Sequence, residues 1–242
     1  MLDVTVLKTS HGGELEAKKL IPYVQSCDVF SVETAIMSED RAAQLEKLWR
    51  SLLGKRIGRD DFSEGVKYLV AAETNPEIRK YMIKAYEYAF RNQRPLYCQE
   101  RFQNEAKADI VHNLWNSGIR TFSEGIEAIT RGEETKGVKS AYMGSRFLYS
   151  SRKGRDINIA KNLSRAEDII RSTYPQTLDK DPLRLVLQIG AAHRPEAYSN
   201  LPIKVVTLVD HMSDRIDEMI EDGAPIDLFV PLFREIAARI NK

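Results

Sequence analysis

The chain has 242 residues, 43% hydrophobic and 29% charged, with a formal net charge of +1. That is room for one large domain or a domain with a sizeable insertion, and a near-neutral chain offers no basic field for nucleic acid. No stretch reaches the roughly 20 continuous apolar residues of a membrane span, and the start, "MLDVTVLKTS", lacks the parts of a secretion signal.

In chain order, the first expected strand is 3–9, which delivers Lys8, Thr9, Ser10 and His11 at its end. A helical pattern over 13–25 follows, with Pro22 distorting or ending it. Cys27 opens the second expected strand, 27–34, which ends in Ser31, Val32, Glu33 and Thr34. Helix is expected over 38–54 with Ser38 as N-cap, over 60–73, and over 75–92 with Asn75 and Pro76 as N-cap and first helical residue. A third strand, 94–100, contains Cys98 and leads through Gln99 and Glu100 to Arg101. Cys27 and Cys98 have no metal or framework spacing; they read as small core residues in a reducing cytoplasm.

The block 103–173 reads as helix broken at 131–140 and again at 150–155, where glycine and charge accumulate. The second break opens a new helix at Arg155 and Asp156. The fourth strand, 183–189, is followed by Gly190, Ala191, Ala192, His193 and Arg194, and the fifth is 203–209. Asp210 reads as the cap of a helix at 211–223, and 227–242 as an amphipathic closing helix. Strands separated by helices give an α/β fold: a single mixed, largely parallel sheet with flanking helices. The chain reads as one domain, 1–242, with a helical insertion at about 38–92 and a second helical block at about 103–173.

Ligands of open α/β sheets bind beyond the carboxyl ends of the strands. Four of those ends here carry His11, Glu33, Glu100 and His193. Imidazole moves protons near neutral pH and binds metals, and a carboxylate orients it, shares a metal or acts as base. Each residue alone has a plainer explanation. A histidine after a strand is commonly a cap or a surface group, Glu33 suits the start of the next helix, and Glu100 beside Arg101 suits a surface ion pair. Asp156 suits a helix start, with Arg155 either reaching an anion or solvated. No HExxH, G-x-S-x-G or phosphate-binding P-loop occurs.

The order "TSH" (9–11), "DVFSVE" (28–33), "RDINIAKN" (155–162) and "GAAH" (190–193) resembles one superfamily. It joins TraB/PrgY pheromone-shutdown proteins, Tiki metalloproteases, haem-binding ChaN-like proteins and erythromycin esterases. The resemblance implies a site of His11, Glu33, Glu100, Arg155 and His193. In it His11, Glu33 and His193 are bases or metal ligands, and Arg155 stabilises negative charge. It implies a hydrolase that activates water on a peptide or ester, with or without a divalent ion (manganese, cobalt or zinc), haem ranking behind. The alternative is a non-catalytic protein that binds a metal, haem or a signalling peptide. The expected partner is a small-molecule or peptide substrate, and a homo-oligomer is compatible. One position departs from the pattern: Lys8 stands where the superfamily's first motif has glycine, which would narrow the site or add a cation to it.

Overall fold

A computed structural model describes residues 1–10, 13–33, 36–54, 66, 75–208 and 213–240. Of the expected helix at 60–73 only Val66 is among them, and the expected cap Asp210 lies outside them. The fold is α/β. The strands are β1 (Leu2–Thr9), β2 (Val29–Ser31), β3 (Met37–Ser38), β4 (Arg101–Phe102), β5 (Leu183–Gly190) and β6 (Ile203–Thr207). Four of them form one parallel sheet in the order β2-β5-β1-β6, and β3 and β4 form a small second sheet. β5 is largely apolar and buried along its length, whereas β1 alternates apolar and polar residues and is buried on both faces only in its second half. Their register sets Thr9 beside Gly190, so both strands end at one level.

The segment expected as a third strand pairs only through one parallel bridge, Leu96 to Phe30 of β2. Two backbone bonds make that bridge, from the Phe30 N–H to the Pro95 carbonyl at 3.0 Å and from the Tyr97 N–H to the Phe30 carbonyl at 3.1 Å, and side chains take groups on the other edge. The Tyr174 hydroxyl accepts from the Leu96 N–H at 3.3 Å and donates to the Leu96 carbonyl at 2.9 Å. The Cys98 N–H donates to Glu46 Oε1 at 2.8 Å. These groups face away from β2, so side chains stand where a further strand would pair.

The helices are α1 (Glu14–Ala17), α2 (Ile21–Ser26), α3 (Glu39–Leu53), α4 (Pro76–Arg91), α5 (Glu105–Thr130), α6 (Glu134–Leu163), α7 (Ala166–Thr173), α8 (Ser213–Glu221) and α9 (Val230–Ile240). Pro22 does interrupt the first pattern: a 3-10 turn at Lys18–Leu20 separates α1 from α2, and the proline sits in the first turn of α2. Ser38 caps α3 by accepting the Arg41 N–H, and Asn75 caps α4 by accepting those of Glu77 and Ile78. The break expected at 131–140 is a short turn, 131–133, with Gly132 at φ +84°. The break expected at 150–155 does not exist. α6 runs straight through it, and its charges are taken up by partners described below.

The residues fall into two compact units, Met1–Ala108 with Asp156–Asp210, and Asp109–Arg155 with His211–Lys242. The division falls within α5 and α6. The core of the first unit is aromatic: Phe30, Trp49, Tyr81, Tyr86, Tyr97 and Tyr174 are all buried. Both cysteines belong to this core, and burial pushes the Cys27 thiol up to about 12, which makes it inert.

In the second unit α5 and α6 lie antiparallel at very short range. A Cβ built on Gly125 would stand 2.3 Å from the Ala141 nitrogen, and one on Gly144 2.3 Å from the Phe122 nitrogen. Glycine is therefore required at both positions by close approach of two backbones. Phe122, Phe229 and Phe233 fill the adjoining core. Two arginines of the basic run inside α6 have partners in this unit. Arg152 forks onto Asp217 of α8, with Nε 2.9 Å from Oδ2, and the Arg155 guanidinium lies 5.6 Å over the Trp115 ring. Among the described residues no helix is long and apolar enough to cross a membrane.

Candidate functional site

Three segments that leave the sheet bring their polar residues together in the first unit. One ligand atom each from Glu33, Glu100 and His193 all lie within 4.8 Å of one another. Glu100 is 0% exposed, His193 3%, and the Glu33 side chain 14%. The expectation that these strand-end residues share one place is thus met for three of the four. His11 lies outside the described residues.

Each side chain is aimed by identifiable bonds. Beyond β5, the Ala191 N–H donates to the Thr9 carbonyl at 2.8 Å and the His193 N–H to the Gly190 carbonyl at 3.1 Å, which turns the chain back over the sheet end. His193 Nδ1 then lies 2.6 Å from Asp156 Oδ1, while Asp156 Oδ2 accepts the Arg194 N–H at 2.9 Å. A carboxylate can only accept, so Nδ1 carries a ring proton directed at Asp156. Nε2 is 3.5 Å from Glu33 Oε1.

Glu33 is held from two sides. Its N–H donates to Gln188 Oε1 at 3.1 Å, and its carboxylate accepts the Gly190 N–H. Gln188 in turn donates to Thr9 Oγ1 at 3.0 Å, which also receives the Tyr81 hydroxyl at 3.1 Å. Burial, opposed by the bond to Thr9 and reinforced by the charges of Glu16 and Glu33, raises the Tyr81 hydroxyl far above its usual range, so Tyr81 is a fixed donor.

Glu100 follows the irregular segment described above. Glu46 of α3 secures that segment by accepting from both the Cys98 N–H and the Arg101 guanidinium, with Arg101 and Glu46 almost fully buried. Burial pushes the Glu46 carboxyl up against the pull of Arg101. Glu100 therefore does not make a surface pair with Arg101: it is buried, and Arg101 pairs with Glu46.

Two other expectations are corrected. Asp156 does not cap a helix; it lies deep in α6 and orients His193. Its signal was the "RD" motif, read at the wrong place in the helix. Lys8 adds no bare cation, because its ammonium is 2.6 Å from Glu196 Oε1. Strand alternation puts it on the sheet face opposite Thr9. Arg155 belongs to the second unit, where its described partner is Trp115. Gln188, Tyr81 and Asn158 had no signal that separated them from ordinary strand and helix residues, while Asn162 closes the "RDINIAKN" motif, which assigned it no role.

The donor set suits a divalent cation. Two carboxylates and an imidazole are common ligands, and an acid on the far ring nitrogen is the usual outer partner of a metal-binding histidine. No family model matches the chain, and no curated protein or solved structure matches it either.

Proposed function

We propose that the protein is a hydrolase of the TraB, Tiki and erythromycin-esterase kind, acting on a peptide or ester bond with a divalent ion at Glu33, Glu100 and His193. The observation that carries this reading is the convergence of Glu33, Glu100 and His193, one ligand atom of each within 4.8 Å of the others, with Asp156 bonded to the far side of the imidazole. A divalent ion held there supplies Lewis acidity toward a carbonyl and acidifies water. The chain's own residues do the rest. Asp156 fixes the tautomer and angle of His193. Glu33, the least buried of the three, takes the proton of the attacking water and passes it to the leaving group. His11, expected from the sequence as a second base or ligand, joins this proposal on the sequence resemblance alone.

The test is metal analysis of the purified protein together with turnover on ester and peptide panels. Expected are one equivalent of manganese, cobalt or zinc, and loss of both metal and turnover in Glu33→Gln and His193→Ala variants that remain folded. Neither metal nor variant-sensitive turnover would overturn the reading. Stoichiometric metal without turnover would instead favour a binding protein.

A further inference from the structure

The geometry points to Asn158 and Asn162 as positioning residues that set Glu100, so that the last two turns of α6 fix Glu100 and His193 relative to each other. The inference rests on reading Glu33, Glu100 and His193 as one site. Asn162 Nδ2 donates to the Gln99 carbonyl at 3.1 Å and to the Arg101 carbonyl at 2.8 Å, the two carbonyls that flank Glu100. Asn158 Nδ2 adds a second bond to the Arg101 carbonyl at 2.7 Å. Asn162 is 3% exposed, so these donors have no competing water.

The location is what gives the bonds a purpose. Residues 98–100 lie in no strand; the Met37 N–H reaches the Glu100 carbonyl at 3.3 Å, and side chains from elsewhere hold the rest of their course. Glu46 holds the Cys98 end, and the two asparagines hold the carbonyls on either side of Glu100. The same helix carries Asp156, which aims His193. From Asp156 to Asn162 the helix rises about 9 Å, and a helix is stiff over that length. One rigid element therefore sets two of the three converging groups. This gives the asparagine of "RDINIAKN" a role that the hydrolase reading left unassigned.

The experiment compares the parent with Asn162→Asp, a near-isostere that presents acceptors to the two carbonyls, and with the milder Asn158→Ala. Co2+ alone is titrated into each, and affinity and the visible d–d bands are read. Phe233→Leu, in the core of the second unit, serves as the control for simple loss of stability. Asn162→Asp is expected to weaken Co2+ binding about 10- to 100-fold and to alter the bands; Asn158→Ala should do the same to a smaller extent. Phe233→Leu should leave both unchanged. Parent-like affinity and bands in both asparagine variants would overturn the inference. Crystal structures of the parent and of Asn158→Ala decide it independently of metal. Glu100 displaced from His193, with the Asp156–His193 bond intact, supports it, and an unmoved Glu100 overturns it. A parent that binds no Co2+ counts against the metal-dependent hydrolase, while the crystallographic comparison still judges the asparagines.

Discussion

Each compact unit buries an arginine against a carboxylate, and the two pairs serve different ends. In the first unit Arg101 and Glu46 are 3% and 2% exposed, and the same carboxylate also accepts a backbone N–H from the irregular segment before Glu100. In the second unit Arg152 and Asp217 are each 10% exposed and join one regular helix to another. A helix satisfies its own backbone, so the second pair only locks side chains. The first replaces a missing ladder. Irregular backbone can be kept inside a protein when charged side chains take the place of strand neighbours, and such backbone can aim a functional group where a regular strand would not.

The largest expected effect separates the two pairs. Arg101→Met leaves a buried carboxylate without its counter-ion and should cost about 3–5 kcal/mol in urea unfolding. Arg152→Met, at a pair with more residual exposure, should cost about 2 kcal/mol. Equal losses would break the distinction. Next comes the helix pair of the second unit. Gly144→Val forces a side chain against the Phe122 backbone and should cost about 3 kcal/mol. Gly132→Ala meets open space but a left-handed φ, and should cost about 1 kcal/mol by the same measurement.

On the first unit's side, Asp156→Asn should weaken Zn2+ or Co2+ binding at least 10-fold while the fold persists; calorimetric titration reads it, and a change under about 3-fold would argue against Asp156 as the orienting group.

The smallest effect concerns Asp28. Burial raises its carboxyl, but the three bonds from Arg184, one from the backbone and two from the guanidinium, outweigh that and hold it below the usual aspartate range. A carboxyl lowered in the folded state adds stability above its unfolded pKa and loses it as pH falls through the folded one. Asp28→Asn should therefore cost about 1 kcal/mol at neutral pH, where Arg184 is half exposed, and the gap from the parent should close as pH falls below the usual carboxylate range. A gap that stays constant with pH would contradict the assignment.

Most of the sheet was legible because β5 is a long, largely apolar run, β1 carries apolar residues at alternate positions, and each delivers polar residues at its end. Glu33, Glu100 and His193 could be singled out on that ground alone. Asp156 could not, since "SSRKGR" reads as a solvated loop until its arginines are seen engaged, Arg152 with Asp217 and Arg155 over Trp115. The third strand was misjudged for a related reason. "RPLYCQE" has the composition of a strand, and nothing local discloses that Tyr174 and Glu46, 78 and 52 residues away, take its backbone groups.

That last arrangement bears on how the protein behaves in a crowded solution. The segment 94–98 borders β2 at one margin of the sheet, where outward N–H and carbonyl groups would ordinarily invite a strand from another molecule. Here Tyr174 closes both groups of Leu96 and Glu46 closes the Cys98 N–H. The margin has no row of open bonds for a neighbour to zip onto. The interactions that set the course toward Glu100 thus also protect against edge-to-edge aggregation, and Tyr174→Phe, which changes no apolar contact, should raise the protein's tendency to form β-rich aggregates.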